Sequence, residues 1–162
     1  MSAIRLLAEL EFAPVLGPVS PQRLVDWAVQ QMVVGQDTKS IVLLAGLPRY
    51  ELNESKKLYL SCLEELGLAL PDREGLRVHL VRSLARDIAS GTMDPEAGSI
   101  LISKLWSSAS RSPSDAEEEI NSLRYQLADP YHYGVSVPDV LRKIVEFARQ
   151  LAEESEGEGR AT

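Results

Sequence analysis

The chain is poor in the side chains that most often build chemical sites. Cys62 is the only cysteine, and His79 and His132 are the only histidines, among 162 residues. A single cysteine excludes an intrachain disulfide, and this supply is too small for the usual zinc clusters. The sequence also contains no HExxH, no CxxC pair and no GxSxG. We therefore expect no metal, no cofactor and no recognisable catalytic residue.

Motifs for phosphate binding and membrane insertion are missing as well. The pattern GxxxxGK[ST] does not occur, and the only GxG, Gly157 to Gly159, lies near the end of the chain. No apolar run approaches the roughly 20 residues that span a bilayer. The first residues carry one cation, Arg5, and their apolar run is broken by Glu9 and Glu11, unlike a secretory signal. We expect a cytoplasmic protein without a membrane partner.

The composition is that of an acidic globular protein. Apolar residues make up 44% and aromatic residues only 6%, so the core is expected to be aliphatic. The formal charge is -7, from 24 acidic and 17 basic residues, which argues against binding a nucleic-acid backbone. Four glutamates lie among residues 153–162. These features predict a single helical domain over residues 1–152 and a disordered acidic tail over residues 153–162.

The clearest helical pattern lies between residues 20 and 47. Ser20 can cap a helix that begins at the next residue, a proline, and Gly35 can end it. Thr38, or the aspartate before it, can cap a second helix. This second helix carries four consecutive apolar residues, Ile41 to Leu44, and it must end before Pro48. It is therefore predicted to be short and buried.

Similar signals predict the remaining helices. A helix is expected over residues 3–13, followed by a loop that Pro14 and Gly17 impose. Further helix starts are predicted at Asn53, Asp72, Asp94, Ser114 and Ser136. The expected fold is all-α, a compact bundle of about seven helices. The sequence around Gly35 is echoed around Gly91, which raises solenoid-like pairing of the HEAT or armadillo kind, although two ordinary helical hairpins explain the echo more simply.

Three short sequences carry a family resemblance. They are Trp27-Ala28, Gly35-x-Asp37 and Leu44-Ala45-Gly46-Leu47. This combination resembles small, mostly uncharacterised, all-helical bacterial proteins. Short, acidic, helical chains with few motifs are in turn similar to immunity proteins, which neutralise a toxin. The likeness is one of class, so it implies no functional residue in this sequence.

Two groups of residues are the candidates for a binding site. The first is Tyr131, His132 and Tyr133 in the segment DPYHYG, because exposed loop aromatics often take part in recognition. Tyrosines that lock a turn against the last helix would give the same sequence. The second is His79, Arg82 and Arg86, which share one strip of a helix and could receive an acidic group. A solvated helix face is the simpler interpretation of that strip.

These observations favour a non-enzymatic protein-binding module, most concretely an immunity or antitoxin-type protein whose acidic surface masks a basic toxin. One alternative is a small enzyme or ligand-binding protein with a pocket between helices. Another is a helical scaffold subunit that self-associates. Trp27 and Trp106 are expected in the core or at its rim, and Cys62 is expected to be a buried, inert thiol.

Overall fold

Every regular element that the structure describes is an α-helix. The computed structural model describes residues 2–48, 51–109 and 114–158, with side chains described up to Glu153, and in these residues no strand occurs. The all-α prediction is confirmed. The described helices are α1 (Ala3–Glu11), α2 (Ala13–Leu16), α3 (Pro21–Val33), α4 (Lys39–Ala45), α5 (Leu52–Glu65), α6 (Arg73–Ala89), α7 (Pro95–Ser107), α8 (Asp115–Ala128) and α9 (Val137–Glu158). With nine helices in the described residues, the prediction of about seven is wrong.

One of the additional elements is α2, which lies where a loop was predicted. Pro14 occupies the second position of this helix, where the missing N–H would have no intrahelical acceptor in any case. Proline therefore fits the first turn and does not prevent it. The Gly17 N–H donates to the Ala13 carbonyl at 2.8 Å, and Gly17 itself, at φ +106°, ends the turn.

The predicted helix starts differ in how their first amides are satisfied. Asp94 accepts a hydrogen bond from the Ala97 N–H at 2.9 Å, as its capping role predicts. Asp72 does the same for Gly75 at 2.7 Å. Ser20 occupies the N-cap of α3 but makes no side-chain cap bond. The prediction at Asn53 is wrong, because α5 already begins at Leu52.

The first of two compact units comprises residues 1–76, and its centre is the mutual packing of α3, α4 and α5. Trp27 of α3 is only 1% exposed and meets Tyr59 of α5 edge to face, with ring centroids 4.8 Å apart. The Tyr59 hydroxyl donates to the Ala3 carbonyl at 2.6 Å, which ties the start of α1 to α5. Burial raises the pKa of this phenol above its usual range.

The helix α4 is short, as predicted, but it is only half buried. Ile41 and Leu44 are fully buried, whereas Val42 and Leu43 between them are exposed. Successive helical residues are turned by about 100°, so one run of apolar residues must face both ways. The packed neighbours of α4 are α3 and α5, and they cover one side of it. The prediction of a buried α4 is wrong for the other side.

The N-terminus of α4 is capped by a residue of another helix. Thr38 holds the N-cap position but makes no side-chain cap bond. Instead, the Ser40 N–H donates to Glu65 Oε2 at 3.0 Å, and the Ser40 hydroxyl donates to Glu65 Oε1 at 2.7 Å. The Thr38 hydroxyl and then these two Ser40 groups lower the pKa of Glu65 from its ordinary 4.5. Thr38 Oγ1 lacks full hydrogen-bond geometry, so the Ser40 bonds are the better-defined contribution.

This cap predicts an acid-dependent loss of stability. Because the folded state favours the charged Glu65, its contribution is present above pH 4.5 and is lost as the pH falls through the lowered pKa. The variant Glu65→Gln should melt at a lower temperature than the wild type at neutral pH, and the difference should shrink in acid. Thermal melts followed by circular dichroism would measure it. A difference that is the same at every pH, or equal to that of the exposed neighbour variant Glu64→Gln, would contradict the assignment.

The second compact unit comprises residues 77–162, and in it α7, α8 and α9 all contact one another. Trp106 of α7 packs edge to face against Phe147 of α9, with centroids 6.4 Å apart. The apolar side of α8 is buried through Ile120 and Leu123. Both tryptophans of the chain are thus buried, as predicted for core positions.

In each unit the described contacts join three helices mutually, and this arrangement does not support the solenoid-like pairing of helical hairpins. The border between the units falls inside α6, after Leu76. The single domain over residues 1–152 remains a prediction. The disordered tail over residues 153–162 also remains a prediction. The helix α9 extends to Glu158, and residues 159–162 lie outside the described part of the chain.

Candidate functional site

The segment Asp129–Gly134, named here the tyrosine loop, connects α8 to α9 and presents its aromatic side chains to solvent. Tyr131 is 96% exposed and Tyr133 is 49% exposed. His132 between them is also exposed. Tyrosines that locked the turn against the last helix would be buried, so for Tyr131 this alternative is wrong.

Hydrogen bonds define the backbone of the tyrosine loop. Asp129 Oδ1 accepts a hydrogen bond from the His132 N–H at 3.1 Å. Aspartate is common in turns because its side chain can bond in this way to a backbone amide a few residues further along. The Val135 N–H donates to the Pro130 carbonyl at 3.0 Å, and the Gly134 N–H donates to the Tyr131 carbonyl at 3.2 Å. Gly134 adopts φ +61°, a conformation that favours glycine. The loop is therefore ordered although its side chains are exposed.

Two of the predicted residues contact each other directly. The rings of His132 and Tyr133 lie edge to face, with centroids 5.1 Å apart. A further exposed aromatic, Tyr125, was not predicted; it lies on the last turn of α8 before the loop and is 66% exposed. Its exposure could have been predicted from the sequence, because Tyr125 falls outside the apolar stripe that α8 buries. Exposed aromatic side chains thus occur both in the loop and on the last turn of α8.

The second predicted group lies on α6. Arg86 is exposed, whereas His79 and Arg82 are half-buried and interact with other groups of the protein. The three side chains share one side of the helix by their spacing, as predicted. The role of this strip in binding stays a prediction.

The thiol of Cys62 is fully buried within α5. Burial, followed by the charge of Glu65, raises its pKa to about 11, so the thiolate is scarce at neutral pH. This agrees with the predicted inert thiol. Among the described residues, no group of three or more His, Cys, Asp or Glu side chains is placed to hold a metal ion.

Each unit also contains an open cavity on its surface. In the first unit a groove of about 390 Å³ has an uncharged lining, which is Ala3, Trp27, Gln31, Val34, Gln36, Leu66 and Leu68. In the second unit a cleft of about 210 Å³ lies between α7 and α8 and is lined by Glu96, Ser99, Ile100, Arg124, Leu127 and Ala128. The cleft contains both a cation and an anion, and none of its residues was predicted as a site.

Comparison of the chain with protein-family models, with curated proteins and with solved structures gave no match. The resemblance to immunity-type proteins accordingly stays a prediction. Within the described residues, none of the helices has both the length and the apolar character that a membrane crossing requires.

Proposed function

We propose that this chain is a protein-binding module whose tyrosine loop makes the central contact with its partner. The observation that carries the proposal is Tyr131, which is 96% exposed in a loop ordered by its own hydrogen bonds. Tyrosine is enriched among the residues that dominate interface energies, because its ring offers a large contact area with few rotatable bonds. An ordered loop also loses less conformational entropy when it binds.

The charge of the chain indicates the kind of partner. With a formal charge of -7, the protein attracts basic proteins over long range and repels acidic ones. Electrostatic attraction would bring a basic partner to the surface, and the exposed rings of Tyr131 and Tyr133 would then be buried in the complex. The proposed class is an immunity or antitoxin-type protein that neutralises a basic toxin.

The proposal predicts that one basic protein is captured through the tyrosine loop. A tagged wild-type chain should retain that protein at a near-equimolar ratio from a lysate of the source organism. The double variant Tyr131→Ser/Tyr133→Ser should retain at least about 10-fold less, since each interface hot spot contributes about 2 kcal/mol or more. Quantitative mass spectrometry of the eluates would measure the ratio. Expression of the captured protein with and without this chain would then test neutralisation.

The control is Val33→Ser, which removes a side chain 81% exposed in the other unit. It should leave capture unchanged. Equal capture by the double variant would show that the tyrosine loop is not the contact. Loss of capture by Val33→Ser alone would place the contact on the first unit. A folded bait that retains no basic protein would contradict the proposed class.

A further inference from the structure

The cleft between α7 and α8 is built from one side of each helix. Glu96, Ser99 and Ile100 are three and four residues apart on α7, and Arg124, Leu127 and Ala128 have the same spacing on α8. A hydrogen-bonded group joins Ser103 of α7 to α8 on the Arg124 side of the cleft. The shape of the cleft is therefore set by the packing of two helices and does not depend on the conformation of a loop.

Arg124 is held in place by a short chain of hydrogen bonds. Its Nη1 donates to Ser103 Oγ at 2.7 Å, and the Ser103 hydroxyl donates to Asn121 Oδ1 at 2.6 Å. Because Ser103 gives its only hydrogen to Asn121, its lone pairs must face the guanidinium. Ser103 is itself 4% exposed, so this support is almost completely shielded from water.

The hydrogen bond to Ser103 does not neutralise the positive charge of Arg124. Ser103 and Asn121 are both neutral, and among the described residues no carboxylate lies within salt-bridge distance of Arg124. Arginine has five N–H donors, and its planar end matches a carboxylate in two parallel hydrogen bonds. A half-buried, oriented arginine of this kind is suited to bind a carboxylate ligand.

The rest of the lining supplies a negative charge and an apolar surface. Glu96 supplies a negative charge, and the fully buried Ser99 one turn further along α7 donates its hydroxyl hydrogen to the Glu96 backbone carbonyl at 2.7 Å. Ile100, Leu127 and Ala128 supply the apolar wall of the cleft. The volume of about 210 Å³ is below the usual range for drug-sized ligands, so only a small molecule fits.

We infer that the cleft between α7 and α8 binds a small zwitterion of the α-amino-acid class. Arg124 receives the carboxylate, Glu96 receives the ammonium group, and the wall of Ile100, Leu127 and Ala128 contacts an aliphatic side chain. This inference uses no residue of the tyrosine loop, so it stands or fails independently of the proposed protein partner.

Isothermal titration calorimetry of the full chain with the neutral α-amino acids tests the inference. At least one aliphatic amino acid should bind. Arg124→Gln should weaken binding by about 10- to 100-fold, because charge-assisted hydrogen bonds to the carboxylate are lost. Glu96→Gln should weaken it in the same direction. The control Arg142→Gln removes an exposed arginine of α9 and should leave the affinity unchanged.

The ligand itself supplies a second comparison. If valine binds, isovalerate (3-methylbutanoate) lacks only the ammonium group and isobutylamine lacks only the carboxylate, and both should bind at least about 10-fold more weakly. Circular dichroism would show whether Arg124→Gln remains folded, and the exposed Glu96→Gln keeps the test valid if it does not. No binding by any amino acid, equal binding by isovalerate, or unchanged affinity in both variants would overturn the inference.

Discussion

Replacement of Trp27 by alanine is expected to lower the free energy of unfolding by about 3–5 kcal/mol, the usual range for removal of a buried aromatic ring. Trp27 is 1% exposed, and its ring meets the fully buried Tyr59 edge to face. The substitution removes apolar contact area, leaves a cavity between α3 and α5, and abolishes the aromatic pair, which itself contributes about 0.5–1.5 kcal/mol.

Urea denaturation followed by far-ultraviolet circular dichroism would measure this change without relying on tryptophan fluorescence. The matched control is Tyr131→Ala, which also truncates an aromatic residue but at a position that is 96% exposed, and it should change stability by less than about 0.5 kcal/mol. Similar small effects for Trp27→Ala and Tyr131→Ala would show that the α3–α5 contact is not part of a packed core.

Replacement of Gly98 by alanine is expected to destabilise the second unit, although alanine is the better helix former. A Cβ atom at Gly98 would lie 2.6 Å from Cδ1 and Cγ1 of Ile88 and 3.0 Å from the sulfur of Met93. Overpacking of a buried site costs about 1–3 kcal/mol, and the gain of about 1 kcal/mol in helix propensity offsets only part of it. The net loss should therefore be at most about 2 kcal/mol.

The control for this prediction is Gly46→Ala. There a new Cβ would have ordinary contacts, the nearest being the Val42 carbonyl oxygen at 3.6 Å, and the backbone already has a negative φ of -89°. This variant should be neutral or more stable by about 0.4–1 kcal/mol, because alanine restricts the unfolded chain. Thermal melts of both variants would compare them. A stabilised Gly98→Ala variant would mean that Ile88 can move aside without strain.

Features that depend on local chemistry could be predicted from the sequence. Asp94 followed by proline gave the start of α7, and the cap bond to Ala97 is present. Glycines that end helices were predicted from their freedom at positive φ, and Gly35 indeed has φ +85°. The tyrosine loop was recognised in the same way, because aspartate, proline and glycine favour a turn within a few residues.

Features that depend on which helix packs against which could not be predicted. The run Ile41 to Leu44 has no apolar period, so its sequence does not say which residues lose contact with water. The group formed by Ser103, Asn121 and Arg124 joins residues 18 and 21 positions apart on two helices. Neither residue spacing nor composition indicates that these three residues meet. The cleft beside them was therefore not predicted.

The exposed side chains of α3 and α4 have a consequence for how copies of this protein behave in concentrated solution. Val33, Val42 and Leu43 are aliphatic and in contact with water, and Val33 is 81% exposed. At low ionic strength the charge of -7 makes identical copies repel one another. Above physiological salt the Debye length falls below about 8 Å, so that repulsion fades while apolar attraction does not. Association of copies through these aliphatic side chains is therefore expected to increase with salt, because the acidic residues supply the repulsion that salt screens.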